Sequence, residues 1–67
     1  DDPLKNAIEF VYYESDPVEK KILEYTFGIG GNQKLSITDI ANKLNRTDAQ
    51  IRQIRKDLAT KIKGVSI

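Results

Sequence analysis

One predicted helical face near the end of the chain carries the side chains with the clearest chemistry. In the segment NRTDAQIRQIRKDLATKIKG, residues 45 to 64, a helical projection separates apolar from polar positions. The polar side carries Ala49, Arg52, Gln53, Lys56, Thr60 and Lys63. Arginine can pair with guanine and glutamine with adenine, while lysine suits phosphate. The face could therefore contact a nucleic acid, and the alternative is a charged surface that meets only water.

The composition gives little support to catalysis, metal binding or phosphate binding. No Cys and no His occur among the 67 residues, which excludes thiol chemistry, histidine catalysis and zinc fingers. The Asp1-Asp2 pair is terminal, and Glu19 and Glu24 do not share a helix face. The IGGNQKLS segment lacks the strand, spacing and Lys-Ser/Thr pair of a phosphate loop, so it predicts a plain turn. We therefore expect neither an enzyme nor a cofactor.

Charge is distributed unevenly along a chain whose net charge is only +1. Residues 1–24 hold seven acidic and three basic side chains, a net charge of −4. Residues 25–45 carry +1, and residues 46–67, with six basic and two acidic side chains, carry +4. A basic element at one end of a polarised chain is the electrostatic pattern of a nucleic-acid-binding surface.

Size and hydropathy set further expectations. A chain of 67 residues forms one small domain, and the absence of an initial Met leads us to expect a fragment of a longer protein. No apolar run approaches the ~20 residues that a membrane span requires. We therefore expect no membrane partner and a cytoplasmic location, which suits the absence of Cys.

Capping signals predict where the first two helices begin and end. Pro3 can start a helix that stops near Glu14 or Ser15. Asp16-Pro17 starts a second helix, Glu19 completes a capping box, and Gly28 ends it. The second helix should bury Val18, Ile22, Leu23 and Phe27.

Two further helices follow the glycine-rich turn. Ser36 caps the third, Thr47 and Gln50 form a capping box for the fourth, and Gly64 should end it just after Lys63. The expected core positions are Ile37, Ile40, Ala41, Leu44, Ile51, Ile54, Leu58 and Ile62. The sequence thus predicts an all-α, compact four-helix domain in which residues 36 to 63 form a helix-turn-helix.

The stretch from Asp16 to Gly64 resembles the C-terminal promoter-binding domain, region 4, of bacterial housekeeping-type sigma factors. The similar residues include Pro17-x-Glu19, the FGI at residues 27–29 and the T-x-x-x-IRQI at residues 47–54. The first helix, residues 4–13, resembles that domain more loosely. The FGI and T-x-x-x-IRQI motifs at this separation form a fairly specific signature.

The resemblance implies a role in transcription initiation. Domains of this family bind the upstream, −35-type promoter element and dock on the β flap of bacterial RNA polymerase, whose helix enters an apolar concavity. By this similarity Arg52 and Gln53 match DNA-contacting positions of the recognition helix, and Ser36 and Ile37 match a helix start that contacts the DNA backbone. An anti-sigma factor or a co-activator is a further possible partner. The candidate DNA-contacting set is Ser36, Ile37, Thr47, Asp48, Ala49, Arg52, Gln53, Lys56 and Lys63.

Several positions depart from the family pattern. Asp48 and Ala49 stand where the housekeeping sequence has an Arg-Glu pair that faces DNA, and Arg55, Lys56 and Asp57 differ in charge from the usual run. The resemblance therefore indicates a divergent sigma factor, either an alternative bacterial one or one encoded by a phage, and the sequence leaves both origins open.

Two other classes compete with this interpretation. One is a dimeric helix-turn-helix regulator of the response-regulator output type, which would need a self-complementary apolar surface. The other is a protein-binding module that has lost DNA binding, which Asp48 and the low net charge favour. The side chains best able to form a partner surface, or else to join the core, are Phe10, Tyr12, Tyr13 and Tyr25.

Overall fold

Four α-helices and one short 3-10 turn form the computed structural model, which describes residues 2 to 65. Helix α1 spans Pro3–Glu14, α2 spans Pro17–Phe27, α3 spans Ile37–Leu44 and α4 spans Asp48–Val65. The 3-10 turn is Ile29–Gly31. Residues 2 to 65 contain no strand, so the predicted all-α fold is confirmed. Asp1, one of the two terminal acids, lies outside the described residues, as do Ser66 and Ile67.

Local caps explain the bounds of the first two helices. The Asp2 carboxylate accepts the Leu4 N–H at 3.0 Å and starts α1. Asp16 accepts the Glu19 N–H at 2.8 Å, and the Glu19 carboxylate accepts the Asp16 N–H at 3.1 Å, which is the predicted capping box. Gly28 adopts a left-handed conformation, with φ 69°, and closes α2 as predicted.

The core lies around α4, which packs against each of the other three helices. Every helix contributes buried side chains to a single cluster: Ala7, Val11, Ile22, Leu23, Ile40, Ala41, Ile51, Leu58 and Ile62. A core this thin depends on each member, because a domain of this size buries only a modest share of its surface. Packing against three helices therefore fixes the position of α4, and the side of α4 that points away from the core is exposed.

Val18, Ile37, Leu44 and Ile54, which were also predicted for the core, are partly buried and pack against the core cluster. Two details of the predicted helices are wrong. Phe27 is 41% exposed, because as the last residue of α2 it lies at the edge of the core and lines a surface groove. Gly64 does not end α4, which continues to Val65, because Gly64 does not adopt the left-handed conformation that closes a helix.

A three-residue turn joins α3 to α4. Asn45 has φ 56° and ψ 49°, a left-handed conformation that asparagine tolerates better than most residues. Its N–H and that of Arg46 donate to carbonyls in the last turn of α3, with Arg46 N to Ala41 O at 2.8 Å. This Schellman-type ending reverses the chain so that Thr47 can begin α4. The arrangement of the two helices is compatible with a helix-turn-helix.

Candidate nucleic-acid interface

The outward face of α4 is the best-defined candidate surface. Ile51, Leu58 and Ile62 point into the core and are almost completely buried. Ala49, Arg52, Gln53, Lys56, Thr60 and Lys63 are all exposed. The structure therefore places six predicted positions along one side of a single helix, with the core on the other side. We call this side the α4 face.

The start of the α4 face is held by the predicted capping box. The Thr47 N–H donates to Gln50 Oε1 at 2.9 Å, and the Gln50 N–H donates to Thr47 Oγ1 at 3.1 Å. These two bonds satisfy amide groups that a helix start would otherwise leave unpaired. Thr47 is exposed, but its hydroxyl oxygen already serves the cap.

Asp48 occupies a different environment from its exposed neighbours. It is half-buried, and its Oδ2 accepts a hydrogen bond from the Thr38 hydroxyl at 3.0 Å. This bond joins the first turn of α4 to the first turn of α3. We call it the Thr38–Asp48 clasp. The carboxylate also lies near the positive end of the α4 dipole, which favours its charge.

The start of α3 lies beside this clasp. The Ser36 hydroxyl oxygen accepts the Asp39 N–H at 3.2 Å, the predicted N-cap. Ser36 is exposed, whereas Ile37 is half-buried and packs against the core. Ile37 could therefore contact DNA through its backbone N–H, while its side chain serves the core.

On the α4 face, the Gln53 side chain is hydrogen-bonded to a neighbour on the same helix. Its Nε2 donates to Asp57 Oδ1 at 3.0 Å, one helical turn further along. Both residues are exposed. Sequence reasoning did not assign a role to Asp57 in orienting Gln53, although the i,i+4 spacing was visible as a signal. No sequence pattern predicted the hydrogen bond of Thr38, because its partner, Asp48, lies ten residues away.

Charge along α4 is mainly basic. Residues 48–65 hold five Lys or Arg and two Asp. Lys61 belongs to another side, since its Nζ lies 3.7 Å from Glu19 Oε2 on α2. Lys63 lies about 21 Å beyond Ala49 along the helix, at 1.5 Å per residue. That distance exceeds the width of a B-DNA major groove, about 12 Å, so Lys63 fits a flanking phosphate better than a base.

A separate apolar groove is lined by residues from the first part of the chain, between Asp2 and Ile29. It has a volume of about 500 Å³ and is bounded by α1, the end of α2 and the 3-10 turn. We call it the first groove. Its apolar lining consists of Leu4, Ile8, Tyr12, Tyr13, Phe27 and Ile29, and its charged lining consists of Asp2, Lys5 and Glu9. Tyr13 is 75% exposed there, so of the four aromatics proposed for a partner surface this one is the most accessible.

A polar network supports the wall of the first groove. The Tyr12 hydroxyl donates to Glu24 Oε2 at 2.7 Å, and Asn32 Nδ2 donates to Glu24 Oε1 at 3.2 Å. Glu24 therefore joins α1, α2 and the loop that follows the 3-10 turn. The hydrogen bond to Glu24 is the main cause that raises the pKa of Tyr12 above its ordinary value of 10.0, and partial burial and the carboxylate charge act in the same direction.

A second groove, of about 480 Å³, lies between the end of α1 and the end of α4. Phe10 and Val65 are its exposed apolar residues, and Glu14 and Lys61 contribute charge. Together with the first groove it accounts for every large hydrophobic side chain that residues 2–65 expose.

The described part of the chain offers neither a metal site nor a membrane-spanning helix. Residues 2 to 65 hold no group of three His, Cys, Asp or Glu side chains that could bind a metal ion. Among the same residues, no helix is both long and apolar enough to cross a membrane.

Comparison with known proteins adds no relative. No protein-family model, no curated protein and no solved structure matches the chain. The features that bear on function are therefore the α4 face, the first groove and the sequence motifs.

Proposed function

We propose that the chain is the promoter-binding domain of a divergent sigma factor, with α4 as its DNA-reading helix. The observation that carries the proposal is the α3–turn–α4 unit. The buried side chains of α4 fix this helix against the core. They leave Arg52, Gln53 and Lys56 on the opposite, exposed side. In a helix-turn-helix the second helix enters the major groove, and its first turns meet base edges. In this protein those turns carry the arginine and the glutamine.

The residues that depart from the housekeeping pattern should change which DNA sequence α4 prefers. Asp48 is bonded to Thr38 and Asp57 to Gln53, so both carboxylates near the DNA-facing turns have a hydrogen-bond donor inside the protein. Their charges still oppose phosphates. We therefore expect the chain to prefer a sequence other than the housekeeping upstream element and to bind DNA weakly outside the polymerase complex.

The first groove suits the second contact that the proposal requires. Its apolar lining and its volume of about 500 Å³ fit a short apolar helix such as the polymerase flap helix. None of its lining residues belongs to α3 or α4. A partner helix in the first groove and DNA on the α4 face would therefore use different residues, as simultaneous binding demands. In this proposal the protein acts in the cytoplasm of a bacterium or of a phage-infected cell.

The decisive experiment is reconstitution of the full-length protein that contains this domain with bacterial core RNA polymerase. The expected result is that the protein directs the polymerase to a set of promoters sharing an upstream motif, and that Arg52→Ala weakens this selection. Polymerase binding without any shared upstream motif would contradict DNA reading by α4. Failure to bind the polymerase at all would contradict the sigma-factor assignment.

One alternative is favoured by a specific observation. Asp48 and Asp57 reduce the positive charge of α4, which suits a module that kept the fold and binds only protein. Titration of the chain with a flap peptide and, in parallel, with random-sequence DNA separates the two functions. Peptide binding without DNA binding at low salt would support the alternative.

A regulator of the response-regulator type would instead dimerise. Phe10 and Val65 in the second groove are the exposed apolar residues that such a dimer could bury. The mass in solution, measured by light scattering, should correspond to a monomer under the proposed function and to a dimer under this alternative.

A further inference from the structure

The bond between Gln53 and Asp57 has a consequence for which base α4 can read. On any exposed helix, a Gln–Asp pair one turn apart adds a few tenths of a kcal/mol of stability. Here the pair lies on the α4 face, beside Arg52 and Lys56. The bond of 3.0 Å from Gln53 Nε2 to Asp57 Oδ1 therefore also determines how the Gln53 amide is presented outward.

A glutamine amide is ambiguous unless a neighbour orients it. It has one acceptor oxygen and two N–H donors on the nitrogen. Adenine in the major groove offers the N7 acceptor and the N6 amino donor, so it needs one N–H and the oxygen in a fixed order. An amide that is free to rotate by half a turn can present this order or its reverse.

Asp57 removes this ambiguity. A carboxylate can only accept, so it holds the nitrogen side of the amide and not the oxygen side. When Asp57 accepts the N–H that points away from Oε1, the N–H on the same side as Oε1 and Oε1 itself remain for a base. The remaining pair matches the adenine pattern in one orientation.

We propose that Asp57 is a positioning residue that orients Gln53 and thereby narrows the base preference of α4 to adenine at one position. This inference rests on the proposed function, because it requires α4 to lie in the major groove. The negative charge of Asp57 also opposes phosphates and weakens binding to all sequences equally. Asp57 thus acts on selectivity through its hydrogen bond and on affinity through its charge.

Two substitutions separate these two effects. Asp57→Asn removes the charge but keeps an oxygen that can accept the same N–H, whereas Asp57→Ala removes both. Both variants should bind random-sequence DNA more tightly than the original chain. In selection from random DNA, Asp57→Asn should keep the adenine preference, and Asp57→Ala should reduce it about three- to ten-fold, the range of one net hydrogen bond.

A readout without DNA tests the bond itself. In the free chain, the NMR signals of the Gln53 side-chain amide should move toward those of a solvated glutamine in Asp57→Ala and move less in Asp57→Asn. Circular dichroism should show that all variants remain helical. In a Gln53→Ala background, Asp57→Ala should leave the selected motif unchanged, because the residue it positions is gone.

Each contrary result has a distinct meaning. If Asp57→Ala selects the same motif as the original chain, Asp57 does not position Gln53 and the proposal fails while α4 still reads DNA. If both variants broaden the motif equally, charge is responsible and the proposal fails. Unchanged Gln53 amide signals in Asp57→Ala would show that the bond does not form in solution. If no form of the chain selects any motif, even in complex with core RNA polymerase, the proposed function fails and this inference fails with it.

Discussion

At the scale of single residues, Arg52 and Lys56 lie side by side on the α4 face but should act differently. An arginine can form paired hydrogen bonds with guanine, which makes its contribution depend on sequence. A lysine acts mainly as a point charge toward phosphate. The two residues are exposed one turn apart on the same helix, so they are well matched for comparison.

We expect Arg52→Ala to weaken binding to the preferred sequence by ~1–3 kcal/mol and to relax the preference at one base pair. Lys56→Ala should weaken binding to every sequence alike. It should also reduce, by about one, the slope of the logarithm of the binding constant against the logarithm of the salt concentration. Titrations of preferred and scrambled DNA at several salt concentrations would measure both effects. Small and equal losses for the two variants on both DNAs would contradict base reading by Arg52.

Thr26 offers a test of the core rather than of the interface. Its Oγ1 is buried and has no hydrogen-bond partner among residues 2–65, and the residue borders a small space lined also by Arg55 and Leu58. An unsatisfied buried hydroxyl is unfavourable, and valine has the same shape without it. We expect Thr26→Val to raise the free energy of unfolding by about 1 kcal/mol. Thr60→Val is the control, because the exposed Thr60 hydroxyl donates to Lys56 O at 3.0 Å, and it should not stabilise the chain.

Tyr12 provides a prediction about pH. Because its pKa lies above 10.0 in the folded chain, the bond to Glu24 stabilises the fold fully below pH 10. That contribution is lost as the pH rises through the raised pKa. NMR titration of the tyrosine rings should show Tyr12 ionising above its ordinary value, and Glu24→Gln should lower its pKa. An unchanged Tyr12 titration in Glu24→Gln would show that the bond is not the cause.

At the scale of helices, local signals were predictable and contacts between helices were not. The capping boxes at Asp16 and Thr47 follow from residues three positions apart, so the sequence alone located both helix starts. Phe27 was wrongly placed, because helical periodicity shows which residues share a face but not where a neighbouring helix stops covering it. The Thr38–Asp48 clasp depends on the angle between α3 and α4, which no local pattern determines.

The register of α4 can be tested by comparing two isoleucines on its buried side. Ile51 is completely buried, whereas Ile54 is half-buried. We expect Ile51→Ala to cost about 2–5 kcal/mol and Ile54→Ala roughly half as much, because less of its surface leaves water on folding. Chemical denaturation would measure both. A larger loss for Ile54→Ala would mean that α4 is rotated relative to the structure described here.

At the scale of the whole molecule, the two proposed contacts use separate residues. The first groove is formed by α1, the end of α2 and the 3-10 turn, while the candidate DNA-contacting residues lie in α3 and α4 or cap their starts. The charge polarity follows the same division, with −4 in residues 1–24 and +4 in residues 46–67. Under the proposed function, the basic end would attract DNA and the acidic end would keep DNA away from the first groove.

This separation predicts that the two activities can be lost independently. Tyr13→Ser and Leu4→Ser remove exposed apolar surface from the first groove, so together they should weaken binding of a flap peptide at least ten-fold, the effect of losing apolar anchors at an interface. They should leave DNA binding unchanged. Arg52→Ala should weaken DNA binding and leave binding of the flap peptide unchanged. Phe10→Ser, an equally exposed apolar change in the second groove, is the matched control and should affect neither. A different result would be loss of peptide binding in Phe10→Ser and normal peptide binding in Tyr13→Ser with Leu4→Ser. It would indicate that the flap peptide binds the second groove, where Lys61 and Val65 of α4 would contact it.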